Sequence, residues 1–276
     1  MREAALRRIA VGFFDGVHLG HRSILSGADA ALTFNPHPLA VVDPDRQPRL
    51  LMSLEERVAA IREAGVGEVI VLDFTPGFSR MTAPEFLDFM MAREFSRFGT
   101  VRCGANWRFG AGGTGDWRLL AGRGLNVELV DYVEFGGERI SSSRIRDALA
   151  AGMLEDASAM LGGAFRKRLK PVSGKGLGSS LGYPTVNFEV ELPLPGGVFA
   201  VRLDGFRAIA NYGFAPTAGE NAWRRRTLEV HQLEGEVSLS PSMEVSFLSF
   251  IRPERKFLSF EELRRQIEID CGKVLQ

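Results

Sequence analysis

The sequence has little of what marks a secreted, membrane-bound or nucleic-acid-binding chain. It has two cysteines in 276 residues, Cys103 and Cys271. They lie far apart and neither has a CxxC partner, so no zinc site is expected on them and both read as reduced thiols. Neither sign of charge is in excess. Lys plus Arg and Asp plus Glu number 34 each, for a formal net charge of zero. No global field would recruit nucleic acid or an anionic membrane, and neither is expected as a partner. No apolar run approaches the roughly 20 residues that cross a bilayer. The segment Met1–Arg8 is charged and lacks the apolar core of a signal peptide. A cytoplasmic location is the expectation. There is no internal repeat and no low-complexity segment.

What is present is an ordinary globular composition, 45% hydrophobic and 25% charged. The length predicts two domains. Short apolar runs at Ile9–Phe13, Ala30–Phe34, Val66–Phe74, Thr100–Cys103 and Val127–Val133 read as buried strands. Helical spacing lies between them, at Leu54–Ala64 and Ala83–Phe95. Strands alternating with helices predict a parallel, Rossmann-like sheet covered on both faces. Ser141–Ser143 then opens a helix that Gly152 ends, and a short helix runs on to Leu161. Beyond this the pattern changes to β-rich runs at Val198–Leu203, Ala208–Tyr212, Thr227–Leu233 and Met243–Phe250, punctuated by glycine and proline. That predicts an antiparallel barrel or sandwich, closed by an amphipathic helix over Phe260–Ile269. The expected division is residues 1–165 and 166–276.

Two constellations carry chemistry. The first is Gly12-Phe13-Phe14-Asp15-Gly16-Val17-His18-Leu19-Gly20-His21, a strand, a tight turn and a helix start. With the helix starting near Val17, His18 and His21 share one face of its first turn, where free N–H groups and the dipole favour phosphate. Gly20 between them leaves room for a close nucleotide. Two imidazoles there can donate hydrogen bonds to an α-phosphate as charge develops. The consecutive serines Ser141, Ser142 and Ser143 offer hydroxyls and N–H groups to one anion, and Arg146 adds a permanently charged fork for β- and γ-phosphates.

The second is Gly174-Lys175-Gly176-Leu177-Gly178, followed by Gly182-Tyr183-Pro184-Thr185-Val186-Asn187. Gly174, Gly176 and Gly178 can bring backbone N–H groups against a nucleotide phosphate. In an extended segment Thr185 and Asn187 share a face. Their neutral oxygens suit a Mg²⁺ that also holds phosphates and waters. Local hydrogen bonding in a β-turn is the plainer reading of the same residues.

In this order the motifs resemble the bacterial bifunctional riboflavin kinase/FAD synthetase family, whose first module belongs to the HxGH nucleotidyltransferases. Gly12–His21 is similar to the family's opening. Thr33–Pro38 is similar to its second-strand motif, Gly104–Gly110 with Gly115-Asp116 to its flavin and nucleotide loop, and Arg139–Arg146 to its phosphate signature. Gly182–Asn187 is similar to its kinase signature, and Arg252 with Glu254 and Phe257 to its flavin-side Arg-x-Glu-x-x-Phe.

The resemblance implies riboflavin, FMN and ATP as substrates with Mg²⁺. It makes His18, His21 and Glu229 catalytic, with Glu229 as the base for the riboflavin 5′-hydroxyl. It places Gly12, Phe13, Asp15, Gly20, Asn35, Asn106, Arg139, Ser141, Ser142, Ser143 and Arg146 against FMN and ATP. Gly174, Gly176, Gly178, Gly182 and Arg252 fall against the kinase substrates, and Thr185 and Asn187 on the metal. Phe13 stands where an asparagine is common, and Asn106 where the family has Asp. Only residues 22–32 separate His21 from Thr33, so a short first helix is expected. A kinase with a silent first module, or a non-catalytic flavin or nucleotide binder, remains compatible with these residues.

Overall fold

The computed structural model describes residues 7–173, 182–214, 226–235 and 237–275. The chain divides into two compact units, residues 1–142 and 143–276.

The first unit is built on five strands: β1 (Arg8–Val11), β2 (Ala30–Asn35), β3 (Glu68–Asp73), β4 (Thr100–Gly104) and β5 (Asn126–Val130). They pair in parallel in the order β3-β2-β1-β4-β5. Six helices connect them: α1 (Leu19–Leu25), α2 (Pro38–Val42), α3 (Leu54–Glu63), α4 (Pro76–Ser79), α5 (Ala83–Arg93) and α6 (Trp117–Gly122). A small hairpin, β6 (Glu134–Phe135) and β7 (Glu138–Arg139), follows.

The two-residue period of the strands sends alternate side chains to opposite faces. Ile9, Val11, Leu32 and Val101 pack on one face with Phe86, Leu87 and Met90 of α5. Ala10 and Ala31 pack on the other with Leu25 of α1 and Ile61 of α3. Each large side chain so buried contributes roughly 1.5–3 kcal/mol. Capping boxes, Ser53 with Glu56 and Thr82 with Glu85, fix where α3 and α5 begin.

The second unit opens with α7 (Ser142–Ala150, its first residue at the division) and α8 (Leu154–Leu161). Gly152 (φ +76°) and Gly162 (φ +75°) end them in the left-handed region. Six strands follow: β8 (Phe165–Leu169), β9 (Val186–Glu189), β10 (Gly197–Leu203), β11 (Phe206–Phe214), β12 (Arg226–Gln232) and β13 (Met243–Pro253). All pairs are antiparallel, in the order β8-β13-β10-β11-β12-β9. Val172, just past β8, donates its N–H to the Asn187 carbonyl of β9 at 2.8 Å, which closes the sheet into a barrel. Phe199, Val201, Ala210, Tyr212, Leu228, Val230 and Phe247 fill its interior. The last helix, α9 (Phe260–Leu275), packs on β11.

The expected architecture is therefore present. The runs from Ile9 to Val133 and from Val198 to Phe250 fall on strands, and the closing helix runs further than its amphipathic core suggested. Strands β8 and β9 are additions.

Candidate active sites

The first site lies at the C-terminal edge of the parallel sheet, where β1 meets β4 and the winding reverses. Ligands of open α/β sheets bind at such a point. After β1 the chain makes a tight turn through Phe14 (φ +61°), Gly16 (φ +84°) and Val17 (φ +38°), with Val17 N–H donating to Phe14 O at 3.2 Å. A Cβ on Gly12 would meet the Phe14 ring at 2.9 Å, so glycine there lets Phe14 fold back into the core.

The positive-φ turn delays the helix. It starts at Leu19, not near Val17, and His18 is its N-cap rather than part of its first turn. His18 Nδ1 accepts the His21 backbone N–H at 3.2 Å. The two imidazoles stack, with centroids 3.6 Å apart and planes 18° apart. A Cβ on Gly20 would press on the His18 ring at 3.3 Å, so glycine there leaves room for the stack.

Burial, and then the Arg139 guanidinium, push the His18 pKa down to about 4. Burial, His18 and Arg139 hold His21 well below its ordinary value. Both rings are neutral near pH 7. Since His18 Nδ1 accepts a hydrogen bond, its proton sits on Nε2, which can donate. His21 Nδ1 is buried without a hydrogen-bond partner among the described residues.

The other residues expected for adenylyl transfer take distinct positions. The Asp15 carboxylate is buried and accepts the N–H groups of Leu51 (2.9 and 3.1 Å) and Met52 (3.2 Å), so it anchors the 51–52 loop to the turn. Ser142 Oγ donates to the Asp15 carbonyl at 2.9 Å. Phe13 stands edge-on to His37 at 4.4 Å and covers the buried Arg57 guanidinium at 3.9 Å. Asn35 ends β2, exposed at the same sheet edge. After β4, the Asn106 amide oxygen turned to Arg139 accepts from Nη1 and Nη2 at 2.9 and 3.1 Å, and the same guanidinium covers the Tyr132 ring at 4.2 Å. On α7, Arg146 Nη2 donates to Ser143 Oγ at 3.2 Å. Ser141 precedes that helix, half-buried.

The second site is a cavity of about 380 Å³ on the outer face of the barrel, between β10–β12 and α9. Register explains its lining. Asn187 pairs with Glu229, Glu229 with Asn211, Asn211 with Val198, and Val198 with Arg252. Directly paired antiparallel residues point to one face, so these five form a row across five strands. Thr185, Glu229, Asn211 and Arg252 line the cavity. Asn187 Nδ2 donates to the Thr185 carbonyl at 3.3 Å and approaches Thr185 Oγ1 at 3.5 Å, which holds the two proposed metal ligands together. Gly182 (φ +86°) turns the chain into Tyr183. Gly174, Gly176 and Gly178 lie outside the described residues.

Several lining residues were not anticipated. His231 Nδ1 donates to the Pro184 carbonyl at 2.8 Å, and its ring stands edge-on to Tyr183 at 5.3 Å. Two residues from Glu229 in a strand, it shares that residue's face, and this spacing could have revealed it. Glu254, named with Arg252 in the Arg-x-Glu-x-x-Phe resemblance but given no role there, lays its carboxylate over Gly213, where any Cβ would overlap it. Asp270 reaches the cavity from α9, paired with Arg252.

Fold and sites define a protein of two modules: a doubly wound parallel sheet with a phosphate-suited turn, and an antiparallel barrel with a cross-strand row, polar but for Val198, along a cavity. Residues 2–144 match the family described as FAD synthetase, and residues 161–276 the family described as riboflavin kinase. The bifunctional riboflavin kinase/FMN adenylyltransferase of Escherichia coli K12 is 34% identical, over 95% of this chain and 90% of that protein. Its Listeria monocytogenes counterpart is 32% identical, over 95% and 89%, and that of Bacillus subtilis 28%, over 99% and 93%. A crystal structure described as a macrolide-efflux protein from Streptococcus pneumoniae superposes with a TM-score of 0.78 at 24% identity, covering 99% of this chain and 94% of that one. That likeness is one of fold. The chain belongs to the bifunctional riboflavin kinase/FMN adenylyltransferase family.

Proposed function

We propose that this chain makes FAD from riboflavin in two ATP-dependent steps. It phosphorylates riboflavin to FMN and then adenylylates FMN to FAD. The observation that carries the reading is the cross-strand row Asn187–Glu229–Asn211–Val198–Arg252 at the barrel cavity. It joins a flavin-sized recess to a chain whose first unit already has a nucleotide turn.

In the kinase step Glu229 takes the proton of the riboflavin 5′-hydroxyl. That oxygen bonds to the γ-phosphorus as the bond to ADP breaks. Thr185 and Asn187 would hold Mg²⁺. Two neutral oxygens beside one carboxylate suit an ion that keeps waters and phosphate oxygens in its shell. When bound, the ion supplies charge neutralisation on the phosphates. Gly174, Gly176, Gly178 and Gly182 are assigned to ATP, and Arg252 to the flavin.

In the second step a phosphate oxygen of FMN attacks the α-phosphorus of ATP and pyrophosphate leaves. His18 and His21, neutral, donate N–H bonds as charge grows on the α-phosphate. Gly12, Phe13, Gly20, Asn35, Asn106 and Arg139 are assigned to FMN and adenine nucleotide. Ser141, Ser142, Ser143 and Arg146 are assigned to the triphosphate tail. Asp15, with both oxygens on backbone N–H groups, shapes the turn. We place the functional division at 165/166, a few residues inside the riboflavin kinase match that begins at residue 161. Small molecules are its substrates. We place the chain in the cytoplasm, with neither nucleic acid nor membrane as partner. Among the described residues no helix is long and apolar enough to cross a membrane.

The test is a product assay with riboflavin and Mg-ATP. The native chain should form FMN and then FAD. His21→Ala should accumulate FMN, with adenylyl transfer reduced about 10²–10³-fold. Glu229→Ala should form neither product from riboflavin, yet convert supplied FMN to FAD. Accumulation of FMN alone by the native chain would overturn the second step.

A further inference from the structure

Asp270 is a carboxylate that the two-step reading does not use, and it is among the most buried charged groups of the chain, at 1% exposure. Its Oδ2 accepts from Arg252 Nε at 2.7 Å and its Oδ1 from Gln266 Nε2 at 2.8 Å. Both oxygens are engaged, one by the barrel and one by the helix that carries it. Arg252 is 17% exposed and lines the cavity beside Phe257, whose ring lies 5.7 Å from the guanidinium. Its Nη1 donates to the Pro253 carbonyl at 3.1 Å. With Nε and Nη1 committed, the fork has one fixed orientation, and Nη2 has no other partner among the described residues.

Register gives the distance scale. Arg252 and Glu229 stand three strands apart in one row. At the usual strand spacing that is roughly 14 Å. A ribityl chain joined to a tricyclic ring fills such a span, with its hydroxyl end at Glu229 and its ring end at Arg252.

We propose that Asp270 is the positioning residue for Arg252. It sets the guanidinium edge that meets the flavin ring, and so makes the docked α9 part of riboflavin recognition. This rests on the reading of Arg252 as a flavin contact. A buried carboxylate is costly unless paired, so the pair locks helix and strand together. Asp270→Asn keeps an acceptor of the same shape but removes the charge that holds the fork.

The experiment measures riboflavin phosphorylation by the full chain, with adenylyl transfer from FMN as an internal control. Asp270→Asn should raise the riboflavin KM about tenfold, with kcat within about twofold. Arg252→Met should raise the KM at least as much. In the Arg252→Met background, adding Asp270→Asn should change it less than about twofold. Full multiplication of the two effects would overturn the inference, because Asp270 would then act without Arg252. An unchanged KM in Asp270→Asn with a raised KM in Arg252→Met would also overturn it, while leaving the Arg252 reading standing. An unchanged KM in Arg252→Met would remove that reading and the inference with it. Should Asp270→Asn fail to fold, Gln266→Leu, which frees only Oδ1, should raise the KM about threefold, and no rise would count against the proposal.

Discussion

The imidazole of His18 caps a helix, stacks on His21 and presents Nε2–H, and one turn decides all three. Backbone at Phe14, Gly16 and Val17 is left-handed, so α1 cannot begin before Leu19. The motif's residue types were legible as phosphate chemistry. The cap was not, because three-residue spacing looks the same whether a helix starts at residue 17 or 19. The charge state follows from burial. The folded chain holds the His18 ring neutral, with its pKa lowered from 6.5 to about 4, and His21 is lowered too. The unfolded chain protonates both rings near 6.5, so unfolding takes up protons below that pH. This contribution to stability is full above about pH 6.5 and is lost as the pH falls toward about 4. NMR titration of the ring Cε1 protons should place His18 far below an unfolded histidine. Adenylyl transfer should show no activity limb near 6.5 from these groups. A His18 midpoint near 6.5 would contradict the buried, stacked arrangement.

Strand β12 carries Glu229, the proposed base, and β9 brings Asn187 beside it, with Thr185, the other proposed metal ligand, just before β9. Reading Val198–Leu203, Ala208–Tyr212 and Thr227–Leu233 as strands was within reach of the sequence, since β-branched and aromatic residues recur at period two. Two strands were not. In Phe165–Leu169 only the end residues are buried and charges fill the centre, and Val186–Glu189 follows directly on the Gly182–Thr185 turn. Asp270 was hidden for a similar reason, since an acidic residue on an amphipathic helix reads as solvent-facing. The register of β9 on β12 sets Asn187 beside Glu229, and His231 then ties the turn to β12 through the Pro184 carbonyl. That tether predicts a split between variants. His231→Phe keeps a ring against Tyr183 but loses the donor. It should slow phosphorylation about tenfold, because a small misplacement of Thr185 degrades alignment. His231→Gln, which keeps a donor, should recover most of the rate. Equal loss in both variants would mean that the ring, not the hydrogen bond, positions the turn.

The whole chain joins a parallel sheet that handles the α-phosphate to a barrel that handles the γ-phosphate. The product of the second is the substrate of the first. Composition and motif order made that pairing legible, because no single site requires both architectures. What the order of motifs does not carry is the route of FMN. Glu229→Ala and His21→Ala each leave one complete site in an otherwise intact chain. An equimolar mixture therefore holds both activities on separate molecules. If FMN leaves the barrel before adenylylation, the mixture should make FAD from riboflavin after a lag in which free FMN accumulates. The lag should shorten as the Glu229→Ala chain, which carries the active adenylyl site, is increased. Neither variant alone should make FAD from riboflavin. Liquid chromatography of riboflavin, FMN and FAD against time reads all three curves. If no FAD forms and FMN stays bound to the His21→Ala chain, although the Glu229→Ala chain converts added FMN, then FMN passes only within one chain.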